Sequence, residues 1–96
     1  MVLKDEIIEV LKSTEDPELK IDIYTLGLIY DVAVDAAGES ARILMTFTTP
    51  FCPYGPAMIA DLRKKLEALG LKSVDIKVVF EPPWEPSPEV REMLGV

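Results

Sequence analysis

The central part of the chain combines two strand patterns, a helix pattern and a third strand pattern, and this order constrains the fold more than any other feature. Residues 28–35 and 41–49 alternate apolar and polar side chains on either side of a turn around Gly38, which predicts an antiparallel hairpin. Residues 56–69 have apolar side chains at helical spacing, and residues 74–80 alternate again. Because a crossover helix joins parallel strands, the sequence predicts a mixed sheet whose second and third strands are parallel.

Shorter helices are predicted at both ends of the chain. From Val2 to about Ser13 the apolar residues fall at helical spacing, and Ser87 with Pro88 is typical of a helix start. The order α-β-β-α-β-α predicts an α/β (α+β) two-layer sandwich, with a small three-stranded mixed sheet covered by helices on one face. We expect residues 1–96 to form a single domain with one modest core. The uncovered face and the edge strands leave room for a homodimer.

The hairpin and the crossover together predict where the loops meet. With a turn centred near Gly38, Leu28 should lie opposite Thr48, so the start of the first strand meets the end of the second. The parallel third strand should end at the same edge. Four loops are therefore expected to converge at one end of the sheet: residues 16–18, 26–27, 49–55 and 82–84.

Cys52 is the only cysteine of the chain, and it lies in the third of these loops, ahead of the second predicted helix. A thiol just before a helix N-terminus meets unpaired N–H groups, which favour the thiolate. A lone cysteine is also a common inert packing residue, and it cannot form an internal disulfide. Cys52 is therefore a candidate functional thiol, with a structural cysteine as the alternative.

The composition argues against several classes of function. The chain has no histidine, and so it lacks the usual neutral-pH base, the usual partner of a nucleophile and the commonest transition-metal ligand. We therefore predict no catalytic residues and no enzymatic activity. A nucleophilic Cys52 would have only the helix terminus, with Asp16 as a weak base, to activate it. The lack of asparagine and glutamine indicates a thermophilic source.

Charge and hydropathy limit the partners and the location. A net charge of -7 argues against nucleic acid, because binding to a phosphate backbone needs a basic face. The basic cluster Arg63 to Lys65 is predicted to be the solvated face of a helix. No apolar run reaches the roughly 20 residues that span a bilayer, so no membrane partner is expected. Acidic residues follow Met1 closely instead of a targeting segment, which favours the cytoplasm.

Five segments resemble, in order, the SufT/PaaD-type family of small iron-sulfur assembly domains. They are Asp16-Pro17-Glu18, Leu26 to Val32, Met45 to Pro53, Pro82-Pro83-Trp84, and Arg91 to Gly95. The resemblance implies an α/β two-layer fold and a role in the maturation of iron-sulfur or related metal proteins. It also implies apo iron-sulfur proteins or cluster carriers as partners. Some relatives instead serve the assembly of a multicomponent phenylacetyl-CoA oxygenase.

The resemblance also implies a set of site residues. By position, Asp16 and Glu18 match the acidic loop of the family, Thr48 and Thr49 match its hydroxyl pair, and Cys52 matches its thiol. Each has an ordinary alternative, because Asp before Pro is a frequent turn former and threonine is a preferred strand residue.

Trp84 either forms a wall of this site or contacts a partner, and its ordinary alternative is a core-edge tryptophan. The chain departs from the family at Thr25, where Asp or Asn is common. It also departs between Trp84 and Arg91, where the stretch is shorter than usual.

The sequence is compatible with three mechanisms. In the first, an assembly factor without a permanent cofactor uses Cys52 as a docking thiol or as a transient ligand of iron or an iron-sulfur cluster. One thiol cannot hold a cluster alone, because a cluster needs about four ligands. In the second, Cys52 is an enzymatic nucleophile. In the third, the chain is an adaptor or structural subunit in which Cys52 is incidental.

Overall fold

The predicted order of secondary-structure elements is confirmed by the computed structural model, which describes residues 2–17, 19–48 and 54–95. The helices and strands are, in chain order, α1 (Lys4–Lys12), β1 (Ile29–Val34), β2 (Ser40–Met45), α2 (Gly55–Glu67), β3 (Ser73–Val78) and α3 (Pro88–Leu94). The strands form one three-stranded sheet in the order β1-β2-β3. As predicted, β1 and β2 are antiparallel and β2 and β3 are parallel.

One face of the sheet is apolar and buried, and the other is polar and exposed. The apolar face packs against the helices, which contribute Ile7 and Leu11 from α1 and Leu62 and Leu66 from α2 to the core. On the other face, the paired residues Arg42 and Asp75 form an exposed ion pair, with 3.7 Å between Nε and Oδ2. The sheet is therefore covered by helices on one face only, as the sequence predicts.

The remaining core residues come from the strands, from segments outside the helices and strands, and, with Met58 and Val90, from helices α2 and α3. They are Val2, Ile23, Leu26, Leu28, Val32, Ala41, Ile43, Met45, Met58, Leu71, Val74 and Val90. Leu3 is not among them, because it is the N-cap residue of α1 and its side chain is 56% exposed. The buried stripe of α1 therefore begins at Ile7 and continues with Leu11.

The hairpin register differs from the predicted one. Val32 pairs with Ile43, and a register shift between Ile29 and Asp31 moves the pairing further toward the turn. As a result, Leu28 lies opposite Thr46 and not Thr48, and its carbonyl accepts a hydrogen bond from the Thr46 N–H at 2.8 Å. The prediction was wrong because the alternation of residues does not reveal an irregularity in the ladder.

The turn between β1 and β2 sets this register. The Asp35 carboxylate accepts hydrogen bonds from the N–H groups of Glu39 and Ser40, at 2.8 and 3.2 Å. Gly38 donates its N–H to the Asp35 carbonyl at 3.0 Å and has φ +67, a left-handed conformation that glycine adopts without strain. The turn thus joins Asp35 to Ser40 and shifts the pairing by one residue relative to a turn centred on Gly38.

The Asp35 turn predicts a pH dependence of stability. Hydrogen bonds from the backbone N–H groups of Glu39 and Ser40 lower the pKa of Asp35 below its ordinary value of 3.8. A carboxylate with a lower pKa in the folded state stabilises the fold above its unfolded pKa, and this contribution is lost as the pH falls through the folded pKa. We expect Asp35→Asn to be less stable than wild type at pH 7, in urea unfolding. The difference in unfolding free energy between wild type and Asp35→Asn should shrink below pH 3.8. A difference that stays constant down to pH 2.5 would contradict this expectation.

Helix α3 begins where the sequence predicts. The Ser87 Oγ accepts a hydrogen bond from the Val90 N–H at 3.2 Å, and Pro88 occupies the first helical position. Val90 is the one buried residue among the described residues of this helix. The cap therefore fixes the start of α3 next to the side chain that packs into the core.

Loss of this cap should destabilise the protein measurably. Replacing Ser87 with alanine removes the acceptor of the Val90 N–H, so the free energy of unfolding should fall by about 1 kcal/mol. Ser87→Asp is the control, because aspartate also accepts this bond and should stay close to wild type. Urea unfolding followed by circular dichroism measures both variants. Equal losses for both would show that the hydroxyl does not act as a cap.

The basic cluster of α2 is only partly solvated, contrary to prediction. Arg63 is half-buried, and its Nη1 donates a hydrogen bond to the Val74 carbonyl on β3. Lys65 Nζ lies 3.3 Å from the Asp61 carboxylate and 3.3 Å from the Thr14 hydroxyl. Lys64 alone is exposed, as predicted. Two of the three cations therefore join α2 to its neighbours, which charge patterning by itself does not reveal.

Candidate functional site

Trp84 and the Leu26-Gly27 loop meet at one end of the sheet. The Trp84 Nε1 donates a hydrogen bond to the Leu26 carbonyl at 2.7 Å, and the half-buried indole packs against the core. Close by in the chain, the Tyr30 hydroxyl donates to the Pro82 carbonyl at 2.7 Å. The predicted contact between loops 26–27 and 82–84 is confirmed. Trp84 has the packing and the hydrogen bond of a core-edge tryptophan, and a further role in a site stays a prediction.

Asp16 is buried in the loop that it shares with Pro17. The residue is only 3% exposed. Its Oδ1 accepts a hydrogen bond from the Leu19 N–H at 3.0 Å. Its backbone bonds to Lys20 and Ile21 close the same loop. Asp16 thus organises the turn that it begins, because a short carboxylate can bond to backbone N–H groups a few residues ahead. Glu18 lies outside the described residues.

Phe47 and Gly55, which flank the cysteine-bearing segment in the sequence, contact each other directly. Phe47, just after β2, packs its ring on Gly55, the first residue of α2, so a Cβ atom at position 55 would lie 2.7 Å from Phe47 Cε2. Phe47 also packs on Phe80 after β3, with ring centroids 6.4 Å apart. Thr48 is half-buried. Thr49 and Cys52 lie outside the described residues, so their predicted roles stay predictions.

Helix α2 begins immediately after this segment. Gly55 is its first residue and Tyr54 its N-cap, and within the described part of the chain the Tyr54 side chain makes no capping hydrogen bond. The first turn contains Pro56 and no acidic residue. The first N–H groups of a helix have no intrahelical acceptor and carry a partial positive charge. The predicted helix terminus beside the thiol-bearing segment is therefore confirmed, one residue before Pro56.

A groove lies between the acidic loop and the N-terminal half of α2. We call it the Met58 groove and define it by its lining residues, Thr14, Glu15, Pro17, Tyr54, Ala57, Met58 and Asp61. Its volume is about 360 Å³. The described residues of the four predicted loops therefore form two clusters. Pro17 and Tyr54 lie at this groove, and Leu26 and Trp84 contact each other elsewhere. Phe47 follows β2 and Phe80 follows β3, and their rings pack on each other.

Sequence reasoning missed several residues that shape this end of the molecule. Gly55 and Phe47 form a close contact that no local pattern indicates, although a glycine directly before Pro56 at a helix start is a usable signal of close approach. Thr14, Tyr54 and Met58 are brought together only by the packing of the chain. Thr25, which departs from the family pattern, is exposed and donates its N–H to Asp22 Oδ2 at 2.8 Å.

Within ranges 2–17, 19–48 and 54–95, no three Cys, Asp or Glu side chains are grouped so that they could hold a metal ion. In the same ranges no helix has the length and apolar character needed to span a bilayer.

Comparison with known proteins agrees with this fold. A family model described as "Iron-sulfur cluster assembly protein" matches residues 4–78, from the start of α1 to the end of β3. A Porphyromonas gingivalis protein named "Fe-S protein maturation auxiliary factor" is 42% identical over 82 residues, which cover 84% of this chain and 77% of that protein. A Synechocystis protein named "Iron-sulfur cluster carrier protein" is 33% identical over 96 residues, which cover 99% of this chain and 27% of that protein.

A solved structure has the same fold. It is a crystal structure of a domain of unknown function from Bacillus anthracis, with a TM-score of 0.84 and 33% sequence identity. The match covers 97% of this chain and 92% of the other. The mixed three-stranded sheet with its helices is therefore an architecture that other chains of similar length adopt.

Proposed function

Because this chain belongs to the family of iron-sulfur cluster assembly proteins, we propose that it is a non-enzymatic accessory factor in the maturation of iron-sulfur proteins. The resemblance drawn from its motifs is confirmed by this membership. The single observation that carries the proposal is the match of the family model across α1 to β3. The relative named as a maturation auxiliary factor, of which this chain covers 77%, supports the same role.

The finer part of the proposal assigns the action to Cys52, as a transient ligand of iron or a cluster or as a docking thiol. Support comes from the sequence position of Cys52, two residues before the N-cap of α2. The partial positive charge of a helix N-terminus lowers the pKa of a thiol near it and favours the thiolate, which is the form that binds metals. Support for a transient cluster comes from the relative named as a cluster carrier.

The cargo would be held weakly. A cluster takes about four protein ligands, and this chain has one cysteine and no histidine. A second copy of the chain, a client protein or small thiols would have to complete the ligand shell. Weak ligation suits a factor that passes its cargo on, and this is why we propose no permanently bound cofactor. Apo iron-sulfur proteins and cluster carriers are the proposed partners.

A complementation experiment tests this proposal. In a strain lacking the gene, the wild-type chain should restore the specific activity of a cluster-dependent enzyme, and Cys52→Ala should restore only a small fraction of it. Ser73→Ala, a change of similar size at an exposed position of β3, is the matched control and should behave like wild type. The abundance of each variant and of the client must be measured by immunoblot.

Each outcome has a clear meaning. Full activity with Cys52→Ala would contradict the thiol mechanism and favour the adaptor role, for iron-sulfur clients or for an oxygenase complex. Unchanged client activity on deletion of the gene would contradict the maturation role itself.

A further inference from the structure

The Met58 groove has an apolar interior with a polar rim. Met58 is almost completely buried, at 6% exposure, and forms the floor together with the buried Thr14. Pro17, Ala57 and Tyr54 form the walls, and the first two are exposed. A volume of about 360 Å³ lies at the lower end of the range for ligand pockets, which suits one or two aliphatic side chains.

The charge at the rim of the groove is negative. The carboxylates of Glu15 and Asp61 stand at its border, and no basic residue is among the described residues that line it. Lys65 Nζ lies 3.3 Å from the Asp61 carboxylate and also donates to Thr14, so it neutralises Asp61 and leaves Glu15 as the uncompensated carboxylate of the rim. Glu15 has no ion pair within the described ranges. A cation brought to this rim therefore meets a carboxylate without an ammonium partner, on a chain whose net charge is -7.

These two properties select one kind of occupant. The floor favours an aliphatic side chain, because burial of apolar surface is worth about 25 cal/mol per Å². The Glu15 carboxylate favours a lysine or arginine beside that side chain and disfavours acidic segments, since like charges brought together at an interface reduce affinity. A groove of this size gives weak and reversible binding, as transfer between proteins requires.

We infer that the Met58 groove docks a segment of a client or carrier protein in which an aliphatic residue is flanked by lysine or arginine. This inference rests on the proposed function and names the surface that recognises the partner. Tyr54 lines the groove and follows Cys52 by two positions in the sequence, so the groove adjoins the segment that carries the thiol. Docking there would bring a client chain to the part of the protein that is proposed to act on it.

A titration with short peptides tests the docking directly. The probe is acetyl-GKLKG-amide, added to the ¹⁵N-labelled full chain and followed by the amide signals in two-dimensional NMR. We expect binding with a dissociation constant on the order of 1 mM, with shifts concentrated in residues 14–17 and 57–61. The peptides acetyl-GELEG-amide and acetyl-GKGKG-amide should bind at least about tenfold more weakly. Equal affinity for all three peptides, or shifts that lie elsewhere, would overturn the inference.

Matched variants separate the groove from general effects. Ala57→Arg fills the groove and adds a cation, so it should abolish binding of the basic peptide. Ala60→Arg makes the same change at an exposed position of α2 outside the groove, and binding should be unchanged. Glu15→Lys should weaken binding at least about fivefold, whereas Glu67→Lys, with the same charge change at the end of α2, should not. Equal effects of a groove variant and its control would also overturn the inference.

The result is independent of the thiol. Cys52→Ala should bind the peptide as wild type does, so docking can be confirmed even if the thiol mechanism fails. Conversely, loss of client activity with Cys52→Ala and no peptide binding would leave the proposed function standing and refute the docking site. In the complementation assay, Ala57→Arg should lower client activity and Ala60→Arg should not.

Discussion

Replacing Trp84 with alanine should lower the free energy of unfolding by about 3 kcal/mol. The substitution removes a half-buried indole from the edge of the core and leaves the Leu26 carbonyl without the Nε1 donor at 2.7 Å. Removal of large aromatic side chains from cores costs about 3 to 5 kcal/mol, and the partial exposure of Trp84 places it at the lower end. Urea unfolding followed by far-ultraviolet circular dichroism measures the change.

Trp84→Phe divides this effect into its two causes. Phenylalanine keeps most of the apolar contact but cannot donate to the Leu26 carbonyl, so its loss should be about 1 kcal/mol. A loss as large as that of Trp84→Ala would show that the hydrogen bond dominates. A loss below a few tenths of a kcal/mol for Trp84→Ala would show that the loop is not anchored by this residue. Because Trp84 does not line the Met58 groove, Trp84→Phe should bind the basic peptide as wild type does.

Leu62→Ala should also cost about 3 kcal/mol of unfolding free energy. Leu62 is fully buried on the face of α2 that packs into the core, so its truncation removes apolar contacts inside the protein. The penalty combines the lost burial of the side chain with the cavity that remains. Thermal and urea unfolding should both show the loss.

Ile59→Ala is the matched control on the same helix. Ile59 is only half-buried, so its truncation leaves less of a cavity and should cost about half as much or less. Similar losses of unfolding free energy for the two variants would indicate that the loss comes from a general change in α2 and not from the cavity in the core. Peptide binding at the Met58 groove by folded Leu62→Ala should be retained, because Leu62 does not line the groove.

The element order could be predicted because each element carries its own local signal. Helix α2 is an example, since its apolar stripe ends near Gly70 and Pro56 lies in its first turn. The sheet topology followed from the hairpin and the crossover. The register could not be predicted, because it depends on the Asp35 turn and on the shift between Ile29 and Asp31. Both are matters of backbone geometry that the alternation of side chains leaves open.

The candidate site was predictable only in part, for a similar reason. The proximity of loops 26–27 and 82–84 follows from topology, and it is confirmed by the Trp84 hydrogen bond. The burial of Asp16 does not follow, because whether a turn carboxylate bonds to its own backbone or faces solvent depends on the packing around it. The Met58 groove arises from residues that are distant in sequence, 14–17 and 54–61, and no single segment indicates it.

Both edges of the sheet carry a feature that discourages the addition of another strand. On β3, Arg63 already occupies the Val74 carbonyl, and on β1 the register shift between Ile29 and Asp31 interrupts the regular ladder. Unpaired strand edges are the usual starting points of aggregation, and such interruptions suppress it. The two features therefore lower the tendency of this chain to polymerise through the edges of its sheet.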